Sequence, residues 1–155
     1  MMDFKNAKEL LEICKSQALS ISEVMKQREI QMGETEAYVV NGRMKKAWEI
    51  MKAAAAEPVE NPGKSMGGLI GGEARRLVDF QSEGKGICGE VLGKGIAYAM
   101  AILETNASMG LIVAAPTAGS SGIVPGLLLA LQETYRYSDE EIIQALYNAG
   151  AIGYL

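Results

Sequence analysis

Three segments of the 155-residue sequence open with the same short signature, a small polar residue followed three positions later by glutamate: Asn6 with Glu9, Ser20 with Glu23, and Ser138 with Glu141. In such a pair the first side chain accepts the backbone N–H three residues on and the glutamate reaches back, which satisfies donors that every helix start leaves open. Each signature leads into apolar residues three or four apart. Ala7, Leu10, Leu11 and Cys14 follow the first, and Ile21, Val24, Met25 and Met32 follow the second. The third opens a last helix running through Leu146 toward Leu155. No stretch alternates apolar and polar residues over the length of a strand, so the spacing predicts an all-α, helical domain with Gly-rich loops. No internal repeat of 20–50 residues is present.

Val40, Met44, Ala47, Trp48 and Met51 mark a further helical face, so residues 21–57 form one long helix, or two broken near Gly33 or Gly42. The helix is expected to end near Glu57, because Pro58 and Pro62 follow and the next segment, NPGKSMGGLIGGE, is rich in glycine. A short helix is predicted over 73–83 and a longer one over 87–104, with Leu92, Ile96, Met100 and Leu103 at helical spacing. Gly86, Gly89, Gly93, Ala97 and Ala101 also recur there every three or four residues, a ridge on which another helix backbone can pack closely. That helix is expected to be central and buried, with Cys88 on it as a packed thiol and Cys14 in the core.

Between Glu104 and Glu133 lie 28 uncharged residues, enough in number for a membrane span. Pro116, Thr117, Gly119, Ser120, Ser121, Gly122 and Pro125 interrupt them, so a buried soluble segment is expected and no membrane association. A net charge of −4 without a basic stripe argues against nucleic acid. The absence of histidine removes imidazole bases and the commonest transition-metal ligand. Two widely separated cysteines and an N-terminus without a signal peptide point to reducing cytoplasm. The chain stops on the apolar AIGYL, where another helix would continue or pack, so the polypeptide reads as an incomplete part of a larger helical unit. A large apolar surface, exposed or paired in a homo-oligomer, is expected in consequence.

Two nucleotide-binding patterns fail on context. Gly63, Lys64 and Ser65 resemble the end of a phosphate loop, but Pro58 stands where its first glycine belongs. Gly84, Gly86 and Gly89 follow a helix-like segment, not a strand. The stretch APTAGSSGIVPG differs from these, because it sets hydroxyls and glycines in succession directly before a helix. Backbone donors at Gly119 and Gly122, the hydroxyls of Thr117, Ser120 and Ser121, and a helix N-terminus can converge there on a carboxylate. A plain helix-to-helix turn with serine as its cap is the alternative.

NASMGLIVAAPTAGSSGIVPG resembles the signature loop of the iron–sulfur L-serine dehydratases, in the N-terminal half of their α subunit or domain. The likeness extends to NAKELLEICKSQALSISEVM, SMGGLIGGEA and NAGAIGYL, and so covers residues 1–155. It implies conversion of L-serine to pyruvate and ammonia, with a [4Fe-4S] cluster acting as Lewis acid on the substrate hydroxyl. It further implies a β subunit or domain and the remaining α-domain segment as partners. The substrate-carboxylate face would be built from residues 117–122 (Thr117, Ala118, Gly119, Ser120, Gly122) with Lys64, Ser65 and Asn106. The cluster needs three thiolates. The family supplies one from this loop, at the position of Ser121 or, in other relatives, of Val113, and the others from segments beyond Leu155. Neither position is cysteine, so no metal ligand is assigned, and the chain alone is expected to carry no cluster and to be inactive. No general base is identified. A non-catalytic helical module binding a small carboxylate or a partner subunit is the rival; a pyridoxal-phosphate enzyme is disfavoured by the lack of an α/β pattern.

Overall fold

The computed structural model describes residues 2–115, 117 and 119–155. They form seven α-helices, α1 (Ala7–Gln17), α2 (Ile21–Met32), α3 (Ala37–Glu60), α4 (Glu73–Phe80), α5 (Glu90–Ala107), α6 (Ser120–Tyr135) and α7 (Asp139–Tyr154), with one wide π-type turn over Gln81–Lys85 after α4. Among the described residues there is no strand. The chain divides into two compact units, one of residues 1–46 with 138–155 and the other of 47–137.

In the first unit the three cap signatures act as their spacing predicts. The Asn6 side chain accepts from the Glu9 N–H at 3.0 Å. Ser20 with Glu23 and Ser138 with Glu141 form complete reciprocal boxes. The two serine N–H groups hold the Glu23 and Glu141 carboxyls below the ordinary glutamate range, with the serine hydroxyls adding to the effect. Phe4, Leu10, Val24, Met25, Ile143 and Tyr147 make the core, and Cys14 packs half-buried against it. Arg28 is buried with them, its guanidinium 3.9 Å from the centre of the Tyr154 ring and 3.4 Å from an Asp3 carboxylate oxygen. Of the two candidate breaks, Gly33 is the one used; Gly42 sits inside α3.

In the second unit α3 runs on to Glu60, three residues beyond the expected stop, with Pro58 inside it. A helical proline lacks the N–H that would bond the carbonyl four residues back, here that of Ala54. The Thr105 hydroxyl donates to that carbonyl at 2.8 Å, so the acceptor is satisfied from α5 and the helix is not forced to end. Thr105→Val is therefore expected to cost about 1–3 kcal/mol by stranding a polar group. The loss should shrink when Pro58→Ala restores the missing N–H. Urea unfolding of the four proteins checks this, and an equal loss in both backgrounds would refute the coupling.

The long helix begins later than its periodicity suggests, at Glu90, because Gly89 at φ 73° breaks the helical backbone. Gly86, Gly89 and Cys88 thus precede α5, and Cys88 is exposed, not packed on the helix. The inward face is also the opposite of an ordinary amphipathic one. Gly93, Gly95, Ala97 and Ala101 are buried, while Leu92, Ile96 and Leu103 are exposed. The cause lies on α6. A Cβ on Gly126 would stand 2.7 Å from the Ala99 nitrogen and 2.9 Å from the Gly95 carbonyl oxygen, and one on Gly122 would stand 2.9 Å from the Ala99 carbonyl oxygen. The two backbones touch, so only small residues fit between them, and Leu92, Ile96 and Leu103 turn outward while Ile102 stays buried. The helix is buried along one face and not all round.

The uncharged run is split between the end of α5, an irregular segment and α6, and no described helix is long and apolar enough to cross a membrane. Large apolar side chains stand exposed in this unit, among them Met66, Leu69, Ile87, Met109 and Ile123.

Candidate functional site

The hydroxyl-rich turn lies where α5, after its last residue Ala107, has been followed by an irregular segment and α6 begins. Thr117 and Ser120 bond reciprocally. The Thr117 N–H donates to the Ser120 hydroxyl oxygen at 2.9 Å, and the Ser120 N–H donates to the Thr117 hydroxyl oxygen at 3.1 Å. The pair bonds in the reciprocal manner of a capping box, with serine in place of glutamate, although the N-cap residue of α6 itself, Gly119, makes no side-chain cap bond. Ser121 is buried and its hydroxyl donates to the Thr117 carbonyl at 3.2 Å. The Gly122 N–H bonds to the Gly119 carbonyl at 3.1 Å. Ala118 lies outside the described residues. The hydroxyls of Thr117, Ser120 and Ser121 and the Gly122 N–H are thus engaged inside the turn, and Gly122 also serves the contact with α5. A carboxylate arriving here would exchange for the Thr117 and Ser120 bonds at the positive end of the α6 dipole.

Lys64 and Ser65 belong to the glycine-rich segment 61–72 between α3 and α4. Ser65 closes that loop on itself, its N–H donating to the Ile70 carbonyl at 2.7 Å and its hydroxyl accepting the Ile70 N–H at 3.3 Å. Gly71 adopts φ 142°, and a Cβ there would lie 1.9 Å from the Gly63 carbonyl oxygen, so the loop folds only with glycine at this position. The Gly71 N–H, followed by its own N–H, holds the Glu73 carboxyl below the usual glutamate range. Asn106 is exposed in the last turn of α5, its carbonyl accepting the Met109 N–H at 3.0 Å. Lys64 lines a cleft of about 260 Å³ with Glu57, Asn61, Glu104, Thr105 and Ser108. The cleft brings the Lys64 loop and the end of α5 to one place; the bonds of the 117–122 turn stay within that turn.

Glu104 was not among the residues singled out from the sequence. It is 5% exposed and accepts two backbone bonds, from Gly72 N–H at 2.9 Å and Ala74 N–H at 2.7 Å. A signal for it does exist, since it is the only charged residue between Lys94 and Glu133. A lone charge in an apolar segment is retained only with strong partners.

The donor set does not fit an iron–sulfur cluster. Cys14 is half-buried in the first unit and Cys88 is exposed in the second. Positions 113 and 121 carry valine and serine. No group of three His, Cys, Asp or Glu able to hold a metal ion forms among the described residues.

Fold and site together define an all-helical protein whose candidate site is a hydroxyl-rich turn leading into a helix packed on a ridge of small residues. Residues 16–155 match the family model for the serine dehydratase alpha chain. The probable L-serine dehydratase alpha chain of Bacillus subtilis is 38% identical over 152 residues, which are 98% of this chain and 50% of that protein. The L-serine dehydratase alpha chain of Peptoniphilus asaccharolyticus is 33% identical over 147 residues, 95% of this chain and 50% of its own length. The L-serine dehydratase of Streptomyces coelicolor is 32% identical over 160 residues, 98% of this chain and 33% of that protein. The chain belongs to the serine dehydratase alpha-chain family and spans about half the length of the alpha chains it matches.

Proposed function

We propose that this chain forms part of an L-serine dehydratase, a cytoplasmic lyase that removes the α-proton and β-hydroxyl of L-serine. The resulting aminoacrylate tautomerises and hydrolyses to pyruvate and ammonia. The role assigned to this chain is substrate binding. The hydroxyls of Thr117 and Ser120 and the donors around Gly119 meet the serine carboxylate, Gly119, with open space around it, leaves room for it, and Lys64, Ser65 and Asn106 complete the charged and polar surround. The observation that carries this is the position of the Thr117–Ser120 pair, hydroxyls and N–H groups together, at the start of α6. The helix dipole adds about 0.3–1 kcal/mol for a bound anion.

Because the donor set does not fit a cluster, no step is assigned to one here. The remaining α-chain segment and a partner chain, as the name alpha chain carried by relatives suggests, would complete the enzyme, and the isolated chain is inactive on this reading. The self-contained bonding of the turn favours one rival, a plain helix cap in a non-catalytic module. Thr117→Val separates the two, since it deletes a hydroxyl at nearly constant volume. In the assembled enzyme it is expected to lower kcat/KM for L-serine about tenfold or more, mostly through KM, with an unchanged folded fraction. Unaltered kinetics would leave the turn as a cap only.

A further inference from the structure

We propose that Glu104 is a positioning residue of this site: its buried carboxylate fastens the loop that carries Lys64 and Ser65 to the last turn of α5, which carries Asn106. The proposal rests on the substrate-binding role given above to those three residues.

The geometry is specific. One carboxylate oxygen accepts the Gly72 N–H at 2.9 Å and the other the Ala74 N–H at 2.7 Å, across 32 and 30 residues of chain. Those N–H groups belong to the cap position and second residue of α4, so the charge also faces the positive end of that helix. No side chain of α4 supplies this cap. Gly71 and Gly72 both hold positive φ, at 142° and 88°, so the loop turns sharply at the point where it is gripped. On the far side of that turn Gly71 packs against the Gly63 carbonyl, next to Lys64. The cleft wall made by Lys64 and the wall made by Thr105 and Ser108 therefore keep their separation through Glu104, which lines the same cleft.

A carboxylate is required by this arrangement. Its two oxygens accept two N–H groups, whereas a glutamine amide offers one acceptor and turns an NH₂ toward the other donor. Glu104→Gln therefore releases one grip with almost no change of volume. Glu104→Asp keeps the charge but is one methylene shorter.

The test is a double-mutant cycle between Glu104 and Lys64 in the dehydratase assembled from this chain, the rest of its α chain and its partner. Glu104→Gln is expected to raise KM for L-serine about tenfold with kcat within twofold, Glu104→Asp to lie between it and the wild type, and Lys64→Ala to raise KM as well. The double variant should be no worse than Glu104→Gln alone. In the 155-residue chain, amide hydrogen exchange at Gly72 and Ala74 should accelerate at least tenfold in Glu104→Gln while the α2 amides keep their protection. If Glu104→Gln does not fold, Glu104→Asp takes its place in the cycle. Additive effects of the two substitutions would overturn the positioning role and leave the substrate site standing. Exchange accelerated throughout the chain, with KM unchanged for the folded fraction, would overturn it in favour of a purely structural carboxylate. A Lys64→Ala variant with wild-type kinetics would overturn both the role of Lys64 and the inference built on it.

Discussion

Replacing Gly126 by valine is expected to destabilise the chain by about 3 kcal/mol or more. A Cβ at 126 meets backbone atoms of α5 at 2.7 and 2.9 Å, and these cannot swing aside as a side-chain end would. Overpacking usually costs about 1–3 kcal/mol, and here it forces two helices apart along a shared face. The few tenths of a kcal/mol that valine gains over glycine in helix propensity do not offset this. Gly42 is the control. Nothing lies within 4 Å of a Cβ built there, in the second turn of α3, so Gly42→Ala should stabilise by about 0.5–1 kcal/mol. Urea midpoints at constant m-value read both effects. A loss below about 1 kcal/mol for Gly126→Val would mean that α5 and α6 do not approach as closely as described.

Anaerobic incubation of the 155-residue chain with iron and sulfide is expected to leave it without stoichiometric cluster. A cluster with one open iron takes three protein thiolates, and the two present are a half-buried one on α1 and an exposed one before α5. Ser121→Cys should not change the outcome. It adds one thiol on the buried side of the first turn of α6, beside a Gly122 packed on α5. About four iron and four sulfide per chain with broad visible absorption, in the parent or in the variant, would contradict this.

The helical class and three of the helix starts were legible in the sequence because a cap is a local event, settled between residues three apart. What was not legible depends on partners far along the chain. Gly33 and Gly42 carry the same intrinsic helix cost, and only the turn after Gly33, with Glu34 at φ 45°, selects the break. Pro58 reads as a stop until Thr105 supplies the bond to Ala54. Leu92, Ile96 and Leu103 read as a core face until the glycines of α6 claim the other side of α5. The site shows the same division. Thr117 and Ser120 were legible from the succession of hydroxyls and glycines before an apolar helix, but their reciprocal bonding, which takes up their own donors, is a matter of backbone geometry. Glu104 acts on residues 30 and 32 positions away, and nothing in its neighbours in sequence names them.

Pyruvate release from L-serine, measured for the proposed assembly of this chain with a remaining α-chain segment and a partner chain, tests the central claim most directly. The assembly is expected to form pyruvate and ammonia in equal amounts, the 155-residue chain alone to form none, and Thr117→Val in the assembly to raise KM about tenfold. An assembly that binds no L-serine and forms no pyruvate, or one in which Thr117→Val has wild-type kinetics, would contradict the assignment of this turn to the substrate carboxylate.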